Sequence, residues 1–196
     1  LGEELNLDGL SIKAVYSDGT SKDLNWKDLE IEGFDNTVKG EQTLTLNYDG
    51  ATASKTIKVL AAPDSDPIHV SFTLLGDTKH GADTEECHTL DGENLTTWVE
   101  TGMIEVGANE TVYEVIKSLE EKYGFKIYDR ETQYGTYIYA VEYKDVTLSE
   151  FDNGQNSGWM DTINDVHPGV GVAKQYLNDG DVIVLHYTDD YTKEDH

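Results

Sequence analysis

A seven-residue break, Ala61-Ala62-Pro63-Asp64-Ser65-Asp66-Pro67, divides the chain into two stretches of different periodicity. Two prolines among small polar residues make a short and fairly stiff connection. The 196 residues therefore read as two small domains, 1–60 and 68–196, with 61–67 as linker.

The first stretch carries a period of two only. Leu10, Ile12, Ala14 and Tyr16 alternate with polar neighbours, as on a half-buried strand. Ser17-Asp18-Gly19-Thr20 follows as a turn. Leu44, Leu46 and Tyr48 alternate likewise, and Asp49-Gly50 is a hairpin signal leading to Ile57 and Val59 on a returning strand. Short strands, turn signals and no helical period predict an all-β sandwich. Trp26 is expected to pack in its core or at its edge.

The second stretch mixes strands with one helix. Ile68, Val70, Phe72 and Leu74 alternate as a first strand. Residues 76 to 97 are polar and read as a long loop. Met103 to Val106 is a further strand candidate. Thr111-Val112-Tyr113-Glu114 fits a capping box, in which Thr111 and Glu114 satisfy each other's backbone N–H groups. Val112, Val115, Ile116, Leu119 and Tyr123 then share one helical face, and Gly124 stands at the C-terminal cap. Phe125 to Tyr128 and Tyr137 to Tyr143 are strand-like. Asp181 to Tyr187 is nearly all apolar, the mark of a central strand buried on both faces. One helix across a mixed sheet is an α+β arrangement, compatible with a β-grasp.

Composition narrows the function classes. Lys plus Arg total 14 against 39 Asp plus Glu, a formal net charge of −25. That field repels nucleic acid and anionic membrane surfaces. It attracts cations, Ca²⁺ included, and it also serves simply to keep a surface protein soluble. Cys87 is the only cysteine, so no internal disulfide forms. No apolar run reaches membrane-spanning length. The chain opens on Leu1-Gly2 without an apolar leader, and its targeting signals are expected to lie outside this stretch.

Two resemblances follow from these motifs. Leu10 to Tyr16, Ser17-Asp18-Gly19-Thr20, Gly33-Phe34, Gly40 and Tyr48-Asp49-Gly50 resemble the bacterial immunoglobulin-like domains of group 3. Such domains are spacers or adhesive modules of surface proteins, which implies an extracellular, cell-wall-associated location. The second stretch resembles the transcobalamin-like C-terminal domain of secreted bacterial proteins. The resemblance rests on Ser71 to Asp77, Trp98, Thr111-Val112, Gly135, Tyr137-Ile138, Ser157-Gly158-Trp159-Met160, Asn164, Val170-Gly171 and Leu177 to Ile183. It implies a β-grasp, ubiquitin-like fold. In animal cobalamin carriers the related domain closes over the corrin ring against a large helical barrel, and no such barrel is encoded here. Asp161, Thr162 and Asp165 depart from the pattern in the loop nearest the expected ligand.

Candidate sites come from residue types and from that resemblance. His80, Cys87 and His88 lie in one polar loop, and imidazole and thiolate suit Zn²⁺, with Glu85 or Glu86 as a completing ligand. A solvated loop holding histidines by chance is the plainer reading. Cys87 beside His88 invites a thiol-nucleophile reading, but sequence neighbours seldom present both side chains to one substrate atom. Asp145, Glu150, Asp152, Asn153 and Asn156 form an oxygen-rich stretch without the spacing of a helix-loop-helix Ca²⁺ site. Ten of the twelve tyrosines fall in the second domain, and alternation places Tyr137, Tyr139, Val141 and Tyr143 on one strand face. Such a strip either stacks on a ligand or serves as a half-buried sheet face. The resemblance puts Trp159 beside a ligand, whereas a core plug is the alternative. Asn156, Trp159, Asn164, His167 and Tyr139 are the candidate ligand-binding residues.

The expectation is therefore an all-β plus α+β chain: an Ig-like β-sandwich, then a β-grasp domain with one main helix. The expected role is non-catalytic extracellular binding or adhesion towards a surface glycan, a protein or a small molecule. The alternatives are a corrinoid half-site completed by a partner domain and a purely structural spacer. No cofactor is demanded; cobalamin and Ca²⁺ are the two that the motifs suggest.

Overall fold

Asp49 and Gly50 both take positive φ, 51° and 81°. That is what a type I′ hairpin turn requires and what Asp-Gly tolerates. The computed structural model describes residues 1–63, 65–82, 87–90, 92 and 94–194. It divides into two units, 1–63 and 64–196, and the division falls inside the expected linker. The first unit is all β. Strand β1 (Ile12–Val15) pairs with β2 (Ser21–Leu24), and β3 (Glu30–Glu32), β4 (Gly40–Tyr48) and β5 (Ala51–Val59) form a second, antiparallel sheet around the Asp49-Gly50 turn. Leu44, Leu46 and Val59 are its buried hydrophobic residues. Trp26 lies half-buried in a single 3-10 turn and donates its indole N–H to Asp8 at 2.8 Å.

The second unit is α+β. Its strands are β6 (Ile68–Gly76), β7 (Thr96–Glu100), β8 (Ile104–Val106), β9 (Phe125–Thr132), β10 (Gly135–Tyr143), β11 (Val146–Ser149), β12 (Gly158–Ile163) and β13 (Val182–Thr188). The helix α1 spans Val112–Tyr123. Strands β12, β13, β6 and β7 run in that order in one sheet, with β8 also on β6. Strands β11, β10 and β9 make the other. The first and last strands, β6 and β13, are parallel neighbours with Leu74 opposite Leu185. The apolar run ending in Tyr187 is thus central, as its composition predicts. The capping box forms with both hydrogen bonds, and Gly124 takes the left-handed cap at φ 69°. Val112, Val115, Ile116 and Leu119 are buried in one core with Phe72, Leu74, Ile127, Val141, Leu148, Ile183 and Leu185.

Two expectations need correction. The polar stretch 76–97 is not loop to its end, because β7 begins at Thr96. β-Branched Thr and aromatic Trp98 suit a strand despite their polar surroundings. The tyrosine strip does not keep one face. A register shift between Ile138 and Ala140 breaks the alternation. It turns Val141, like Ile138, into the core and sets Tyr143 against the Trp98 ring at 5.4 Å, while Tyr137 and Tyr139 share the Arg130 guanidinium at 5.4 and 5.6 Å. One extra residue in a strand does this to every side chain beyond it. The oxygen-rich stretch from Asp145 contains β11, and its polar side chains take separate partners. Arg130 engages Glu150 through both guanidinium nitrogens, Asp152 accepts from Ser149 N–H and meets Lys79, and Asn156 donates to Asp190.

Candidate functional site

The second unit carries a groove of about 1030 Å³. Its walls are the β9–β10 turn, the start of β10, strand β12 and the segment from His167 to Val172, with Tyr191 at one side. The 167–172 segment approaches β10 closely. Gly171 N–H donates to Tyr134 O at 2.9 Å. A Cβ on Gly171 would lie 2.6 Å from the Thr136 carbonyl oxygen and 2.8 Å from Gly135 C. Only glycine fits there, because both obstacles are backbone. The lining is mostly apolar, with Tyr134, Tyr137, Ile138, Met160, Val170 and Val172 prominent.

Asp161 is the acidic residue in the lining. Burial pushes its carboxyl up to about 6, against the Gln175 side chain and His186, which pull it down. Its Oδ2 is buried and has no hydrogen-bond partner, and Gln175 Oε1 is in the same condition. His167 donates its Nδ1–H to the Asp161 carbonyl oxygen at 3.0 Å. A carboxyl whose folded pKa stands above its unfolded value of 3.8 stays protonated in the fold after the unfolded chain has ionised. Stability therefore falls as pH rises from about 4 to about 6. Asp161→Asn removes that loss. It is expected to stabilise the second unit by up to about 3 kcal/mol near pH 7.5, and by little near pH 3.5. Urea unfolding of both proteins at the two pH values checks this. A gain of the same size at both would mean that ionisation is not its cause.

Of the residues singled out from the sequence, Trp159 and His167 meet in this groove. Trp159 is also core: it is 3% exposed, donates its indole N–H to Leu148 O at 2.8 Å and sits edge-on to Tyr187. Asn164 shapes the turn after β12. Asn164 and Asp165 have φ of 53° and 64°, so they form a type I′ turn with Asp in place of Gly. The Asn164 side chain ties the turn to Asp181 and Val182. Asn156 pairs with Asp190, and Tyr139 lies against Tyr128 on the outer face of β10. Neither lines the groove.

His80 and His88 do meet, but not with Cys87. Cys87 is exposed, beside the Lys193 ammonium, and Glu85 and Glu86 lie outside the described residues. The two imidazoles converge instead on Asp77 and Asp189. His88 Nδ1 is 2.8 Å and His80 Nε2 3.2 Å from Asp77 Oδ2, and His80 Nε2 is 3.4 Å from Asp189 Oδ2. All four ligand-type atoms lie within 4.8 Å of one another. Asp77 follows the end of β6 and Asp189 the end of β13, so the parallel pairing of the two strands brings the carboxylates together. His88 N–H donates to Asp189 Oδ2, and Asp189 N–H to the His88 carbonyl, each at 2.8 Å. Asn153 closes the group, its side-chain oxygen accepting from His80 N–H and its amide donating to Asp77. Burial pulls the His80 imidazole down. The Gly81 carbonyl, Asp189 and Asp77 outweigh it and leave its pKa raised. Sequence spacing shows only the histidines. The signal that was available is that two apolar strands each end in Asp.

A second group, His167, His186 and Glu194, is more deeply buried. His186 Nε2 lies 2.7 Å from Glu194 Oε2, and Glu194 also accepts from Leu90 N–H. No helix among the described residues is long and apolar enough to cross a membrane.

Comparison with known proteins finds matches in two separate stretches of the chain. Residues 1–60 match the bacterial Ig-like domain (group 3). Residues 109–189 match a domain described as a domain of unknown function (DUF4430). A 61-residue stretch is 43% identical to part of pectate lyase L of Thermoclostridium stercorarium, covering 31% of this chain and 5% of the lyase.

Proposed function

We propose that this chain is a non-catalytic binding module of a bacterial secreted or cell-surface protein, in which the second unit captures a small ligand. One observation carries the reading: an apolar groove of about 1030 Å³ is lined in part by Asp161, whose Oδ2 is buried without a hydrogen-bond partner. A site of that size takes a drug-sized molecule, and a few polar groups in apolar walls set its orientation. The ligand class that fits has an aromatic or aliphatic body and an N–H donor or ammonium group to meet Asp161. The net charge of −25 favours approach of a cation.

The Ig-like match supports a place outside the cell, where the first unit acts as a spacer or adhesive element. A segment that forms 5% of a lyase behaves as a portable module, and nothing of the lyase's activity need travel with it. Parallel first and last strands at the sheet centre, with one helix on the core, support a β-grasp reading of the second unit. That in turn favours a corrinoid, whose peripheral amides supply N–H donors, as a second reading.

The test is calorimetric titration of cobinamide, cobalamin and a set of amine-bearing aromatic compounds into the full chain. Tyr134→Ala alters the exposed rim of the groove without entering the core. Saturable binding that Tyr134→Ala weakens at least about tenfold, near 1.4 kcal/mol, supports groove capture. Absence of heat with every compound up to about millimolar, where binding is worth only about −4 kcal/mol, would leave the spacer role.

A further inference from the structure

The Asp77, His80, His88 and Asp189 group has the donor set and spacing of a metal centre. A four-coordinate ion with bonds of about 2.0–2.1 Å has ligand–ligand edges of roughly 3.3–3.4 Å. The separations on Asp77 and His80, 2.8, 3.2 and 3.4 Å, already approach that figure. His80 Nδ1 lies 2.8 Å from the Gly81 carbonyl, which fixes the proton there and aims the Nε2 lone pair into the group. Asp77 Oδ1 is held by Thr78 N–H and Asp189 Oδ2 by His88 N–H, each bond orienting a donor from outside. The side chains of Asp77 and Asp189 are only 4% and 6% exposed. Asp189 Oδ1 is buried without any hydrogen-bond partner. Two carboxylates buried this close together repel each other and lack the water that would screen them. A divalent cation at the centre cancels both charges.

We infer that Asp77, His80, His88 and Asp189 bind one divalent transition-metal ion, with Zn²⁺ as the ion that a two-imidazole, two-carboxylate set fits best. The ion would displace the Asn153 amide N–H, which now lies 2.9 Å from His80 Nε2 and 3.2 Å from Asp77 Oδ2. The Asn153 oxygen keeps its bond from His80 N–H. With four protein ligands the centre is structural: it pins His80 and His88 to the ends of β6 and β13.

Chelator-treated full chain titrated with Co²⁺, read by visible absorbance, tests the site. Intense four-coordinate bands that saturate at one equivalent and bleach on adding Zn²⁺ are expected. A large excess of Ca²⁺ or Mg²⁺ should leave them in place, which separates the site from loose attraction to an acidic surface. His80→Ala combined with His88→Ala is expected to weaken binding at least about a hundredfold. His167→Ala, in the other buried group, should leave it unchanged. Only the faint absorbance of hydrated Co²⁺, displacement by Ca²⁺, or wild-type binding by the double variant would overturn the assignment. If the double variant fails to fold, the wild-type bands decide alone: their presence at one equivalent upholds the site, and their absence removes it.

Discussion

Trp159→Ala is expected to destabilise the second unit by about 3–5 kcal/mol, the range for truncating a fully buried aromatic ring. Trp159 has its indole N–H on Leu148 O at 2.8 Å and packs against Trp98 at 5.7 Å and Tyr187 at 5.3 Å. It therefore joins β12 to β11, β7 and β13 at once. Alanine leaves a cavity that these rings cannot all collapse into, since each is held elsewhere. Tyr187, for example, donates its hydroxyl to Ser149 O. Against a typical domain stability of about 5–15 kcal/mol, the loss brings the unit near its unfolding threshold. Trp159→Phe keeps most of the apolar area but strands the Leu148 carbonyl, and should lose about 1–2 kcal/mol. Urea unfolding followed by far-UV circular dichroism measures both, with a separate transition allowed for each unit. A loss below about 1 kcal/mol for the alanine variant would place the indole in solvent. Trp159 is therefore a poor probe of ligand binding, because any effect of removing it passes through the core. The exposed rim residue Tyr134 is the better probe.

What the sequence made legible is what forms locally. The Thr111–Glu114 capping box closes within four residues, and the Asp49-Gly50 turn within two, so residue type alone specifies them. The apolar run of β13 is equally plain, because a strand between two neighbours cannot carry a polar face. The bulge in β10 left no such trace. No proline or glycine marks Ile138 to Ala140, and the alternation of tyrosines pointed to a face that the bulge divides. The metal-type group was half legible for a related reason. His80 and His88 are close in sequence, but Asp77 reaches Asp189 only through the pairing of β6 with β13, across more than a hundred residues. Sequence proximity favoured Cys87 as the third ligand, whereas the chain turns that thiol outward. The groove left no local signal, because its walls come from β10, β12 and the 167–172 segment, which are distant in sequence. Asp161, marked as a departure from the pattern, proves to be the ionisable residue in the groove with an unpaired carboxylate oxygen.

Glu194→Ala is expected to have an effect of similar size for a different reason. His186 is fully buried, its Nδ1 has no partner and its Nε2 lies 2.7 Å from Glu194 Oε2. Removing the carboxylate strands the second imidazole nitrogen as well as Leu90 N–H, which donates to Glu194 Oε1 at 3.0 Å. Breaking a buried hydrogen-bonded pair from one side costs about 3–5 kcal/mol. Glu194→Gln keeps the shape and an acceptor, and should cost about 1–2 kcal/mol. Burial pushes the Glu194 carboxyl up, but the bond and charge of His186 outweigh it, and the folded pKa lies below the unfolded value of 4.5. A depressed carboxyl contributes stability that is present above the unfolded pKa and is lost as pH falls through the folded one. The difference between wild type and Glu194→Gln should therefore be full near pH 7 and shrink on acidification below about 4.5. A difference that persists unchanged into acid would assign the effect to packing of the last described residues against β13, and not to charge. Because the pair ties residue 194 to the central strand, its loss should also expose Leu90 N–H to faster hydrogen exchange, whereas unit 1 amides such as those of β4 should be unaffected.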